Sequence, residues 1–370
     1  MKTIVTGAFL TLLVAAVWAQ QSAGGRQIGE KIEATPTAAA IEKGAKWLVS
    51  VQGADGGWGQ DGGETSYVRT GERLESSGND VANTAVATLA LLQAGKKYQP
   101  NVDRALNFIL KNVETSSADG LQITDRKGTQ IQRKLGPYID TFLTSMLLAQ
   151  VDGTLSKELN ARVRRALEKC VAKIERNQQK DGSWNIAGGW APILGTSMAS
   201  RSLFEAAQKG VKTEDVVMRR AEDYTVMALS APAASVGAGF GGGVGGGSLS
   251  AAAGVPLYQK AQALEQLSRT EADRQKNAGE IKKIQADLVD ARFVEGFGSI
   301  GGEEFFSYLN VSDGLQRGGG AQWKQWHSQI VQKILNLQNS DGTWAGHHCI
   351  TGRVAVTSAA ILNLKFEHAN

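Results

Sequence analysis

The sequence predicts an all-α protein, an α/α toroid closed from about six helical hairpins with a Gly-rich linker insertion. Three observations predict it: a motif that recurs at helix ends, a second class of helices apolar on nearly every face, and no run with sustained strand alternation. The 370 residues are 42% apolar and contain only 6 prolines. That composition supplies a core and leaves helices with few breakers. Forty Lys and Arg against 36 Asp and Glu give a net charge of +4, too small and too mixed for a nucleic-acid partner. Two cysteines, Cys170 and Cys349, do not make a disulfide scaffold, and whether they pair is open at this level.

The N-terminus reads as a targeting segment. Met1-Lys2 is a short basic start, Ile4 to Trp18 is nearly all apolar or small, and Val17-Trp18-Ala19 has the form of a cleavage site. The run is short for a membrane span and has secretory flanks. Residues 1–19 are therefore expected to be a signal peptide and 20–35 a flexible segment. The mature product is expected in the secreted or periplasmic space, with no membrane anchor left after cleavage.

Three segments share one pattern: Gln52-x-x-Asp55-Gly56-Gly57-Trp58, Gln178-x-x-Asp181-Gly182-Ser183-Trp184 and Gln338-x-x-Asp341-Gly342-Thr343-Trp344. Each follows an amphipathic run (Ala40 to Val51, Val163 to Asn177, Ile330 to Leu337) and so closes an outer helix. Glycine accepts the left-handed backbone that ends a helix, and Asp bonds nearby amides. The Trp is then placed to fold back over the helix end. Asp119-Gly120 is a degenerate copy without its Trp. The Asp-Gly pairs at 55, 119 and 181 are nearly evenly spaced, and the long gap to 341 implies an insertion.

After each turn comes a helix rich in small and apolar residues, beginning near 80, 138, 195, 303 and 354. Apolar residues all round such a helix require burial on most faces, which is the inner layer of a ring. Within the long gap, Val211 to Leu229 reads as an outer helix and 236–250 as a Gly-rich linker, with 256–292 as a charged helical segment carrying Ile281, Ile284 and Leu288 on one stripe. The toroid domain is assigned to 36–366. Gly237-x-Gly239-x-x-Gly242 follows no strand, so it is not read as a dinucleotide fingerprint. Trp323 and Trp326 are read as packing between hairpins rather than as a sugar platform.

The Gln-x-x-Asp-Gly-x-Trp repeats resemble those of squalene and hopene cyclases and of the β-subunits of protein prenyltransferases. The resemblance covers most of 36–366. It implies the α/α toroid and inner helices that begin at one end of the ring, where the active site lies in the enzymes. Hopene-type cyclases carry Asp-Val-Asp-Asp-Thr-Ala, whose middle acid protonates an alkene. This chain reads Asp80-Val81-Ala82-Asn83-Thr84-Ala85, and neither Ala82 nor Asn83 donates that proton. Triterpene cyclisation is thus disfavoured, and the first Asp has the place of a helix N-cap. Prenyltransferases hold zinc with Asp, Cys and His near inner-helix starts, which makes His347, His348 and Cys349 metal candidates. The other reading of that segment is a capped turn with a buried thiol.

Asp80, Asn83, Asp140, Glu303 and Glu304 are the catalytic candidates at the ring mouth, and Thr84, Thr196 and Arg353 the candidate ligand contacts. Two functions are expected from this. In the first, the ring cavity binds an apolar, lipid or peptide-like ligand without cyclase activity. In the alternative, a zinc-assisted transferase, cyclase-like enzyme or lyase acts at the mouth on a lipid or polysaccharide. Whether the chain is an enzyme is left open.

Overall fold

A computed structural model describes residues 35–60, 78–184, 192–230, 254–295 and 300–368. The expected signal peptide 1–19, the residues after it up to 34 and the expected linker 236–250 lie outside the described residues. From Thr35 onward the chain forms one unit, and the α/α toroid expected from the repeats is what it builds.

Among the described residues six inner helices form the ring: α2 (Val81–Ala94), α5 (Ile139–Val151), α7 (Pro192–Gln208), α9 (Gly254–Leu267), α13 (Gly302–Gly318) and α15 (Arg353–Leu364). Each packs on the next, and α15 packs back on α2. Around them run α1 (Pro36–Ser50), α3 (Gln99–Thr115), α6 (Lys157–Arg176), α8 (Asp215–Ser230) and α14 (Gly320–Asn336). The sixth outer position holds α10 (Glu271–Lys276), α11 (Ala278–Asp287) and α12 (Ala291–Glu295). A short helix, α4 (Gln130–Leu135), precedes α5. Strands β1 (Trp58–Gly59) and β2 (Asn79–Asp80) pair antiparallel, Trp58 opposite Asp80.

The inner helices are buried almost throughout: every residue of α2 from Val81 to Leu91 is buried. The outer helices bury one stripe each, such as Val163, Ala166, Leu167, Cys170 and Ile174 of α6. This division is what hydrophobic burial demands of a two-layer ring.

The region after the linker has two parts. Its first part is the inner helix α9, in which Tyr258, Leu264, Gln262 and Glu265 are all buried. Its polar residues are tolerated because they are paired: Glu265 takes a two-point contact from Arg269 at 3.0 and 2.6 Å, and Thr225 meets Gln266 at 2.5 Å. Its second part breaks at Asn277 and Leu288 into short helices, of which Ile284 and Leu288 face the core.

The three motifs build one joint three times. The indole N–H of Trp58, Trp184 and Trp344 donates to the carbonyl of Leu48, Ile174 and Ile334, each at 2.7 Å. The Gln side chain donates to the motif's Gly carbonyl and also to a neighbouring outer helix: Gln52 to Asn101 O, Gln178 to Val217 O, and Gln338 to Ala40 O. Asp55, Asp181 and Asp341 accept the N–H two residues on. The motif glycines Gly56, Gly182 and Gly342 have φ of 89, 90 and 91°, a region L side chains avoid. A Cβ on Gly182 would also lie 2.1 Å from Arg220 O. The joint thus ends one outer helix and fastens it to the next.

Candidate functional site

The starts of the inner helices converge on one polar cluster. Asp80 caps α2: its Oδ1 accepts the Asn83 N–H at 2.8 Å and its Oδ2 the Asn83 side-chain amide at 2.8 Å. Burial pushes its pKa up to about 6, against the pull of those two hydrogen bonds and of the Arg126 charge. Asp140, in the first turn of α5, reaches across to α2. Its Oδ1 accepts the backbone N–H of Ala82 at 3.0 Å and its Oδ2 accepts from Gln132 Nε2 at 2.7 Å. Burial, then repulsion from Asp80, pushes Asp140 up to about 7. A carboxyl from the neighbouring helix therefore sits beside the alanine of the Asp80-Val-Ala-Asn frame.

Across the ring axis, Gln130 of α4 ties distant segments together. Its N–H donates to Gln60 Oε1 at 2.8 Å and its Nε2 to Thr351 Oγ1 at 3.0 Å. Its Oε1 accepts the N–H groups of Thr351 and Gly352 at 3.0 and 3.1 Å, just before α15. The α4 helix itself packs on α2, α5 and α7. It spans the mouth as a plug, held by a Thr129–Gln132 capping box.

At the start of α13, Glu303 and Glu304 are fully buried. Glu304 Oε1 accepts the Tyr258 hydroxyl at 3.1 Å, and burial with the adjacent Glu303 charge holds Glu304 well above the usual carboxylate range. Oε1 of Glu303 lies 3.5 Å from His348 Nδ1, and that nitrogen lies 3.3 Å from Cys349 Sγ. One ligand atom each from Glu303, His348 and Cys349 falls within 4.8 Å of the others, and all three residues are buried. Glu303 Oε2 accepts the Ile350 N–H at 3.4 Å and Oε1 faces the His348 ring, so the carboxylate is held among these groups. Burial and the Glu303 charge raise the Cys349 thiol. Cys349 has φ of 56°, and a Cβ on Gly301 would meet the His348 ring at 2.7 Å. Backbone strain and a missing side chain are both spent on bringing this trio together.

The other candidates fall elsewhere. Thr84 and Thr196, expected as ligand contacts, are buried and accept the N–H of Trp58 and Trp184 at 2.9 and 3.3 Å, as Thr357 does for Trp344 at 3.0 Å. They complete the repeat joint. Arg353 bonds Asp341 at 2.9 Å and lies over the Trp47 ring, so it also serves the joint. His347 is half-buried and outside the trio; its backbone N–H donates to Ile300 O, and burial lowers its pKa. Asn83 is spent on Asp80. Cys170 and Cys349 are separate buried thiols. Gln130 and Gln132, which no motif marks, complete the mouth.

At the opposite end of the ring lies an axial cavity of about 280 Å³. Leu89, Met146, Leu309, Leu362 and Phe366 supply apolar wall, and Gln93, Arg201, Glu205 and Asp313 supply polar rim. Arg201 bonds Glu205 at 2.7 Å and pairs with Asp313 at 3.3 Å. Among the described residues no helix is long and apolar enough to cross a membrane.

Comparison with known proteins agrees with this architecture. The family profile of the squalene–hopene cyclase C-terminal domain matches residues 27–126. A probable squalene–hopene cyclase of Sinorhizobium fredii is 40% identical over 77 residues, 21% of this chain and 11% of that protein. The squalene–hopene cyclase of Bradyrhizobium diazoefficiens is 39% identical over 70 residues, 19% of this chain and 10% of that protein. The matched stretch is thus about a tenth of either relative's length. A type II terpene cyclase from Scytonema superposes with a TM-score of 0.51 at 12% identity, covering 90% of this chain and 99% of that one. A variant of it bound to its product, merosterolic acid A, gives 0.53 at 12% identity over 89% and 96% of the two chains. The chain therefore has the α/α toroid fold seen in the type II terpene cyclases, and its residues 27–126 are similar to the squalene–hopene cyclase C-terminal domain.

Proposed function

We propose that this chain is an exported terpene-cyclase-like binding protein that holds an apolar small molecule with a polar head, without cyclising it. The observation that carries this reading is the axial cavity, walled by five inner helices and rimmed by charge. A concave apolar site with a few placed polar groups is the ordinary form of a small-molecule pocket. The mouth supports the second half of the proposal. Ala82 stands at the position of the alkene-protonating acid, and Asp80 and Asp140 are bonded to Asn83, Ala82 and Gln132 rather than open to an alkene. The product complex of the Scytonema enzyme shows that the fold accommodates such molecules in that protein.

Titration of the purified protein with geranylgeraniol, read by intrinsic tryptophan fluorescence, tests it. Saturable binding is expected, with at least a tenfold loss in Leu309→Arg, and incubation with squalene is expected to give no cyclic product. Cyclised product, or no saturable binding, overturns the reading.

A second reading rests on the Glu303–His348–Cys349 trio. Carboxylate, imidazole and thiolate are a zinc ligand set that leaves a fourth position open, and the three converge here in a buried site. Zinc bound there would supply a Lewis acid to a lipid or polysaccharide substrate. Glu304, whose carboxyl pKa burial raises and which accepts the Tyr258 hydroxyl, lies adjacent to that site. Elemental mass spectrometry of protein purified without chelator separates the readings. Near-stoichiometric zinc that is lost in Cys349→Ser and retained in His347→Ala supports the enzyme. Metal-free folded protein retires it.

A further inference from the structure

A second cavity, of about 440 Å³, lies beside α4 and the first turn of α5. Its volume falls in the range of ligand clefts, roughly 300–1,000 Å³, and far exceeds what a lone inorganic anion fills. Three cationic side chains, Arg126, Lys127 and Arg133, line it. Gln122 and Thr124 add an amide and a hydroxyl, and Tyr138 adds an aromatic ring. Lys127 and Arg133 are exposed, and Arg133 is steadied by a 2.7 Å bond from its guanidinium to Gly128 O. The Arg126 charge reaches as far as Asp80.

The only carboxyl among the described lining residues is Asp140. It is buried, and both its oxygens already accept hydrogen bonds, from Ala82 and Gln132. With both oxygens engaged and its pKa raised by burial, it opposes an anion only in part. The lining therefore combines three cations, an amide and a hydroxyl with apolar surface from Ile123, Pro137 and the Tyr138 ring. A phosphate would use the cations and leave the amide, hydroxyl and ring idle. An apolar chain would leave the cations idle.

We propose that this cavity is a binding site for an acidic sugar, a uronate unit whose carboxylate meets Lys127 and Arg133 and whose hydroxyls meet Gln122 and Thr124. It is separate from the axial cavity and from the Glu303 trio, so it stands whichever reading of those sites holds.

Isothermal titration of the full chain with trigalacturonate tests it, with maltotriose and inorganic phosphate as separate titrants. Trigalacturonate is expected to bind, maltotriose to bind at least tenfold more weakly, and phosphate not to match the acidic sugar. Lys127→Glu and Arg133→Glu, both at exposed positions, are expected to weaken trigalacturonate binding at least tenfold while thermal unfolding and geranylgeraniol binding stay unchanged. Equal affinity for maltotriose overturns the proposal. So does phosphate binding as tightly as trigalacturonate, or no trigalacturonate binding by a folded protein.

Discussion

Trp344→Ala is expected to destabilise the fold by about 3–5 kcal/mol, the range for truncating a large buried aromatic. The Trp344 ring is fully buried, and its indole N–H donates to Ile334 O at 2.7 Å. Its backbone N–H is held by Thr357 of α15. The ring also lies so close to α1 that a Cβ on Gly44 would meet it at 2.9 Å. One side chain thus joins the end of α14 to the inner helix α15 and to the first outer helix. Trp344→Phe keeps most of the packing and leaves the Ile334 carbonyl without its donor, so a smaller loss of about 1–3 kcal/mol is expected. Denaturant midpoints of the two variants check the order. A loss below 1 kcal/mol for the alanine variant would mean that the joint does not hold the ring.

Stability is expected to fall as the pH rises from about 4 to about 7, with Asp140 as the main cause. In the unfolded chain its carboxyl loses its proton near 3.8, and in the fold near 7. Between those values the folded state holds the extra proton, so raising the pH favours unfolding. Above about 7 the carboxyl is ionised in both states and its contribution is flat. The span corresponds to on the order of 4 kcal/mol at roughly 1.4 kcal/mol per pKa unit. Asp80, pushed up to about 6, adds in the same direction below that pH. Asp140→Asn keeps an acceptor for the Ala82 N–H and removes the titration. Its melting temperature is expected to vary much less between pH 5 and 8 than that of the parent, as calorimetry would show. Equal pH dependence in the two proteins would place the titration elsewhere.

The ring was legible in the sequence because each joint is local. Within seven residues the Gln-x-x-Asp-Gly-x-Trp motif contains its own turn, cap and anchor, and Gly56, Gly182 and Gly342 adopt nearly the same φ. Five inner helices were legible because small and apolar residues occur on nearly every face of them. The sixth, α9, carries Gln262, Glu265 and Gln266, which read as solvent-facing until Arg269 and Thr225 are seen to pair with them. The mouth was legible in part. Asp80, Asp140, Glu303 and Glu304 do cluster at inner-helix starts, but which carboxylate meets the His-His-Cys segment depends on contacts across 45 residues or so of chain. The choice of His348 over His347 depends on an irregular loop with a left-handed Cys349. Thr84 and Thr196 read as free hydroxyls because their acceptor role involves the N–H of a distant Trp. Gln130 carried no signal at all, since an amide clasp has no periodicity.

The bond from Gln338 to the carbonyl of Ala40 has a consequence for how such a molecule is assembled. An open stack of helical hairpins exposes an unfinished face at each end and needs specialised terminal units to cover it. Here α14 and α15 receive α1, so the last hairpin is finished by the first helix and neither end face exists. The seam is then a single interface of high sequence separation, which forms late because its loop entropy is met before its contacts are gained. Until it forms, the partly assembled arc presents two sticky apolar flanks, and intermolecular capture of α1 by another copy's α14 and α15 competes with closure. Chain concentration during refolding therefore sets the ratio of closed rings to exchanged assemblies, while the final contacts are the same in both.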